Sequence, residues 1–262
     1  MKNLSSLVTT VAVGILTLAV VGCSSTTAPQ NVGEQGSGAK VIKVAVINDY
    51  PPFEFKKDGE LTGFDYDLMN AIAKEEKLEI DWKEMKFDGL IPALQAKQID
   101  AAISAITIRD DRKQVVDFSE PYFQAGQSLV VKKESSVQKL EDLKGKTIVA
   151  TQGAAGLMAA NDLSDKYGAN VKILKESAAL FLEVETGNSE GLVNDFPGVA
   201  YKIKIDGDQS KLRIVGDPLT VEEFGIAVVK GNKEVVDKLN NGLKKLKENG
   251  EYKKLFDTYF GK

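Results

Sequence analysis

Strand and helix signals alternate through residues 41–123, and after a long strand candidate over 124–132 the same alternation begins again. β-Branched and apolar runs predict strands over 41–47, 78–82 and 101–104. Between the first two, Phe64, Leu68, Met69 and Ile72 fall on one face of a helix over 63–77. A second helix follows the turn at 87–89, with Asp88 as its cap and Pro92 in its first turn, where proline is tolerated. The later set has strands over 147–151, 171–174, 192–194 and 212–215 and helices over 157–166 and 177–185. Another long strand candidate, 222–229, leads to amphipathic helices over 235–247 and 252–259. Such alternation implies an α/β layout with right-handed crossovers. The chain leaves one lobe, builds a second and returns: residues 41–123 and 224–262 form lobe 1, residues 124–223 form lobe 2, and two strands join them. Clefts between such lobes are common ligand sites.

Composition removes several function classes. The chain carries 34 Lys+Arg against 38 Asp+Glu, a net charge of -4, with no basic cluster, so nucleic acid is not an expected partner. It has no histidine, which removes His-based triads and His metal sites, and its one cysteine, Cys23, leaves no internal disulfide. No cofactor and no metal is expected. Residues 7–22 are apolar but short for a membrane span, which needs roughly 20 residues. The stretch ends in Val20-Val21-Gly22-Cys23 and resembles a bacterial lipobox. In that reading residues 1–23 are a signal peptide with Cys23 as the lipidation site, and residues 24–40, rich in Ser, Thr and Gly, are a flexible tether. The other reading is an anchor helix that is never cut. The folded part is expected outside the cytoplasmic membrane, held to it by lipid.

The stretch that carries the chemistry is 100–123, DAAISAITIRDDRKQVVDFSEPYF. A short strand runs into a small-residue turn, Ala105-Ile106-Thr107, that leaves backbone groups free. Arg112 can offer a planar fork of donors to a carboxylate. It can equally be a surface arginine paired with Asp110 or Asp111, and Arg109 is read as facing solvent. Asp195, at the end of a predicted strand, can cap the helix that begins near Pro197. Tyr50 and Phe87 read as core aromatics or as cavity walls. Glu54 has no identifiable partner.

Residues 50–55 (YPPFEF), 63–68 (GFDYDL), 87–94 (FDGLIPAL), 107–113, 117–122 (DFSEPY), 224–227 (FGIA) and 243–260, in that order and spacing, resemble the polar amino-acid-binding proteins that feed ABC importers. The resemblance covers essentially the whole of 41–262. It implies a two-lobed periplasmic-binding-protein fold of type II, a monomer that closes on a free amino acid and delivers it to an ABC permease, and no enzyme. Residue by residue, it implies that Arg112 binds the ligand α-carboxylate and that Thr107 and the backbone at Ala105 help hold carboxylate and ammonium. It implies further that Asp195 pairs with the ammonium and that Tyr50 and Phe87 sandwich the side chain. The second-lobe loop 152–156, which carries Ala154 and Ala155 and follows the ligand-binding candidate Thr151, would present amides to the carboxylate at a helix N-terminus. The chain departs from the family at three places. Ile47 stands where an acidic residue is frequent, which argues against lysine or arginine as ligand. Ala154 and Ala155 replace hydroxyl residues. Gly191 and Gly198 replace larger ones, so a wider cleft is expected there. Two alternatives remain open: a lyase or dehydratase on the same scaffold, with Asp49 the nearest acid, and a tethered extracytoplasmic sensor domain.

Overall fold

The computed structural model describes residues 39–261. The expected signal segment, Cys23 and all but the end of the 24–40 tether lie outside the described residues. The chain begins with β1 (Lys40–Val46), a small meander of β2 (Asp49–Tyr50), β3 (Glu54–Lys57) and β4 (Glu60–Thr62), and then α1 (Phe64–Glu75). There follow β5 (Leu78–Glu84), α2 (Phe87–Gln95), β6 (Ala101–Ala102), α3 (Asp110–Val115) and β7 (Val116–Phe118). It crosses over through β8 (Phe123–Ala125) and β9 (Gln127–Lys132). The second half is β10 (Thr147–Thr151), α4 (Ala155–Tyr167), β11 (Asn170–Leu174), α5 (Ser177–Glu185), β12 (Gly191–Asp195), α6 (Phe196–Asp206) and β13 (Leu212–Val215). It returns through β14 (Glu222–Phe224) and β15 (Ala227–Val229) to α7 (Lys233–Glu248) and α8 (Glu251–Phe260).

These elements make two five-stranded sheets of one plan, β5-β1-β6-β15-β7 and β11-β10-β12-β9-β13. In each, three strands run parallel and the fourth is antiparallel to its neighbours. That antiparallel strand is the one arriving from the other half of the chain: β15 in the first sheet, β9 in the second. This is the two-lobed periplasmic-binding-protein fold, with two connecting strands between lobes. Among the described residues no helix is long and apolar enough to cross a membrane.

Both long strand candidates are broken, and the breaks make the hinge. The stretch predicted over 124–132 divides at Gly126 into β8 and β9; that over 222–229 divides at Gly225-Ile226 into β14 and β15. The freed pieces β8 and β14 pair with each other, Phe123 opposite Phe224, as a two-stranded antiparallel ribbon between the sheets. Gly126 has no alternative, because a Cβ there would stand 2.1 Å from the Thr220 carbonyl oxygen. The α2 region also differs from expectation. The helix starts at Phe87 with Lys86 in the cap position, so Asp88 is inside its first turn and Pro92 inside the helix body. Asp88 points to the second lobe, 3.2 Å from Lys175 Nζ.

Candidate functional site

The first lobe brings Tyr50 and Phe87 to the cleft from a stiff base. Phe53 is fully buried, and its ring meets those of Phe64, Phe123, Phe224 and Phe260 within 5.1–6.4 Å. Tyr50 lies parallel to it at 5.8 Å, which fixes the direction of the phenol. The second lobe contributes the end of β12 and the start of α4, both placed by a sheet whose buried core is aliphatic.

A cavity between the lobes is lined by Ile47, Tyr50, Phe87, Ser104, Ala105, Thr107, Thr151, Ala154, Ala155, Ser177, Asn194 and Asp195. Eight of the nine sequence-expected ligand residues are in that lining; the ninth, Arg112, is not. The walls stand close, leaving a cavity of about 20 Å³. The closeness comes from direct bonds across the cleft. Tyr50 donates to Asp195 Oδ2 at 2.7 Å. The Ser177 amide donates to Asp49 Oδ2 at 3.0 Å, and Lys86 pairs with Glu176.

Arg112 is neither a surface arginine nor paired with its acidic neighbours. It is 4% exposed, and it donates to the Thr107 carbonyl at 2.7 Å and to the Gly153 carbonyl at 2.9 Å, one from each lobe. Its guanidinium carbon sits 5.6 Å from the centre of the Phe87 ring. Burial, with Arg109 nearby, lowers its pKa to about 10, so it stays charged at neutral pH. Asp111 is taken by Arg109 through two bonds at 3.0 and 2.7 Å. Arg109 is thus tied down rather than free in solvent.

Asp195 occupies the cap position of α6, yet its side chain makes no capping bond. Its second oxygen accepts from Gln127 Nε2 at 2.7 Å. Burial is the main cause that raises its pKa to about 6; Glu222 adds to the rise, and the bonds from Tyr50 and Gln127 oppose it. The Ala105 amide, expected to face a ligand, is committed to Asp65 Oδ2 at 2.7 Å. Thr107 Oγ1 donates to Glu222 Oε2 at 2.9 Å.

The expected widening at two glycines is absent. A Cβ on Gly191 would meet the Val130 carbonyl at 2.8 Å, inside the sheet, and one on Gly198 would meet the Tyr50 hydroxyl at 2.8 Å. The room at Gly198 is filled by tyrosine. Five residues escaped the sequence reading: Ser104, Gln127, Ser177, Asn194 and Glu222. Gln127 follows the hinge glycine and also reaches Glu222 Oε2 at 3.2 Å, while Thr220 Oγ1 donates to Glu222 Oε1 at 2.7 Å. A break in the crossing strands, had it been expected, would have marked Gln127 and Glu222, since polar side chains beside a hinge have a reason to face the cleft; the others carry no such signal.

The family model of bacterial extracellular solute-binding proteins, family 3, matches residues 42–262. The chain is 34% identical over 247 residues to the arginine-binding extracellular protein ArtP of Bacillus subtilis (strain 168), covering 94% of each. It is 36% identical over 226 residues to a probable histidine-binding protein of Neisseria gonorrhoeae, covering 85% of this chain and 84% of that one. Among solved structures, an ancestral arginine-binding protein bound to arginine superposes with a TM-score of 0.80 at 38% identity, covering 86% of this chain and 100% of that chain.

Proposed function

Because this chain belongs to the bacterial extracellular solute-binding proteins of family 3, we propose that it captures a free amino acid between its lobes and delivers it to an ABC permease. Its relatives are binding proteins rather than enzymes, and it is a binding protein too. One observation carries the site assignment: the expected residues of both lobes line a single cavity, with Asp195 in its wall and Arg112 bridging the lobes beside it.

The contacts across the cleft indicate what a ligand replaces. Its ammonium takes the Asp195 oxygen now held by the Tyr50 hydroxyl. Its carboxylate takes the Arg112 donor now given to the Gly153 carbonyl, together with amides at the start of α4. Both ends of the zwitterion are satisfied only when the lobes meet, so the ligand favours the closed form. Ile47 lines the cavity and brings no charge to a cationic side chain. We therefore place glutamine and histidine ahead of arginine, although several relatives are named for arginine. Lipidation of Cys23, anchoring to the membrane and a monomeric state complete the proposal; the Cys-ending apolar leader supports the first two.

Titration calorimetry of the secreted chain against the twenty proteinogenic amino acids tests this. The expected result is micromolar affinity, about -8 kcal/mol, for a polar member. No heat from any of the twenty overturns it. Mass spectrometry of the mature N-terminus checks the diacylglyceryl mass on Cys23.

A further inference from the structure

Beneath the cavity, outside its lining, two carboxyl groups are buried against each other. Glu54 on β3 and Asp65 on α1 are both 0% exposed. Asp65 Oδ2 accepts from the Ala105 amide and from the Tyr122 hydroxyl, each at 2.7 Å. Asp65 Oδ1 and both Glu54 oxygens have no donor. Ala105 is an alanine at φ 45°, in the left-handed region that disfavours a side chain, and it sits in the cavity wall between Ser104 and Thr107. An amide in that conformation needs a fixed acceptor. Asp65 supplies it, but two bare carboxylates side by side with no exposure cannot both stay charged.

We infer that Glu54 and Asp65 share one proton and act as a positioning pair for the 104–107 turn. Asp65 is the anionic acceptor that pins the Ala105 amide, and neutral Glu54 donates to the Asp65 oxygen that lacks a partner. The assignment of charge follows from the donors: Asp65 has two, and Glu54 has none. The groups facing Glu54 add to the case. They are Asp65 from α1, Asp49 and Tyr50 from β2, Tyr122 from the segment before β8, and Asp195 from the second lobe. Burial, then the Asp65 charge, hold the Glu54 carboxyl well above its usual range.

The consequence is a loss of grip once Glu54 gives up its proton. A folded-state value above the ordinary 4.5 makes the proton's contribution complete below that value, and the contribution disappears as pH rises through the folded value. The second charge then repels Asp65 and slackens its hold on Ala105. Ligand affinity falls as pH rises through the value at which Glu54 gives up its proton.

The binding readout rests on the amino-acid reading above; the proton does not. The infrared spectrum of the wild type near neutral pH is expected to carry a protonated-carboxyl band that Glu54→Gln removes. Binding of L-glutamine, L-histidine or L-arginine, whichever is tightest, is then followed by calorimetry across neutral to mildly alkaline pH. Asp65→Leu weakens it by about tenfold, Asp65→Asn, which keeps an acceptor for Ala105, recovers it to within about threefold, and Glu54→Gln flattens the fall with rising pH. If Asp65→Leu fails to fold, the wild-type band and the Glu54→Gln pH profile still decide. Absence of the band, or a Glu54→Gln profile that overlays the wild type, overturns the inference. If none of the three amino acids binds but the band is present and vanishes in Glu54→Gln, the ligand reading fails and the shared proton stands.

Discussion

The two walls of the cleft are made of different material. The first lobe presents large side chains on an aromatic base: Tyr50 over Phe53, and Phe87 under the Arg112 guanidinium. The second presents small residues and backbone, Gly153, Ala154 and Ala155 at the head of α4, with Asp195 as its one charged group in the lining. The difference teaches a division of labour. Direction and shape are set by the wall whose side chains are locked by packing, while the other wall brings hydrogen-bonding groups that fit whatever the first one holds. The hinge ribbon of β8 and β14 belongs to the first lobe's aromatic core through Phe123 and Phe224, and it carries the chain from there to the second lobe.

Arg112 is where the walls meet, so its removal should have the largest effect. Arg112→Ala leaves the Thr107 and Gly153 carbonyls without their donor and, in the proposed binding mode, strips the ligand carboxylate of its counter-charge. The expected loss of affinity is at least about a hundredfold, roughly 3 kcal/mol for a buried charge pair that loses one member. Arg112→Lys should recover only part of it, because a point charge cannot serve two carbonyls and a carboxylate at once. Calorimetry on both variants checks this, and an affinity within twofold of wild type would show that Arg112 ties the lobes without touching ligand.

The next test isolates the second wall. Asp195 has its pKa raised to about 6, mainly by burial. Its charged form is needed for an ammonium, so affinity should fall as pH drops through that value, by about tenfold per unit well below it. Stability without ligand should move the other way. A raised folded pKa adds stability below the ordinary 3.8, and that stability is lost as pH rises toward 6. Asp195→Asn should weaken binding at neutral pH and remove the acid dependence.

How much of this was legible beforehand differs between walls in the same way. The Tyr50, Phe87 and Arg112 positions could be read because each lies in a local run of distinctive residues. The hinge was readable as two long strands but not as two broken ones, because the break at Gly126 is forced by Thr220, a residue far away in the chain. Gln127 and Glu222 were invisible for the same cause: only the pairing of β8 with β14 brings them together beside Asp195. Gly198 was misread as open space because its occupant, Tyr50, comes from the opposite lobe. Glu54 looked inert, since the sequence could not show that a second carboxyl lies against it.

That occupant gives a smaller test. Gly198→Ala sets a methyl only 2.8 Å from the Tyr50 hydroxyl. The tyrosine must swing off its bond to Asp195, and overpacking of this kind costs about 1 kcal/mol at its mild end. Affinity should fall by about fivefold while the melting temperature of the chain hardly changes, because the clash exists only when the walls are together.

The smallest expected effect is also the one that separates the two uses of the second wall. Ala154 holds the cap position of α4 with extended backbone and makes no side-chain cap. Ala154→Ser supplies a hydroxyl that can accept an amide from the first turn of that helix, worth about 1 kcal/mol of stability. In the proposed binding mode the same amides are offered to the ligand carboxylate. A serine that caps the helix takes one of them away, and a serine that turns into the cavity adds a new contact. In the extended cap conformation the side chain points along the helix start, so capping should win. The expected outcome is a melting temperature higher by about 2–4 °C with ligand affinity reduced by no more than about threefold. A rise in affinity without a rise in melting temperature would mean that this wall lacks a ligand contact rather than a cap, and that its small residues limit binding instead of merely accommodating the first lobe.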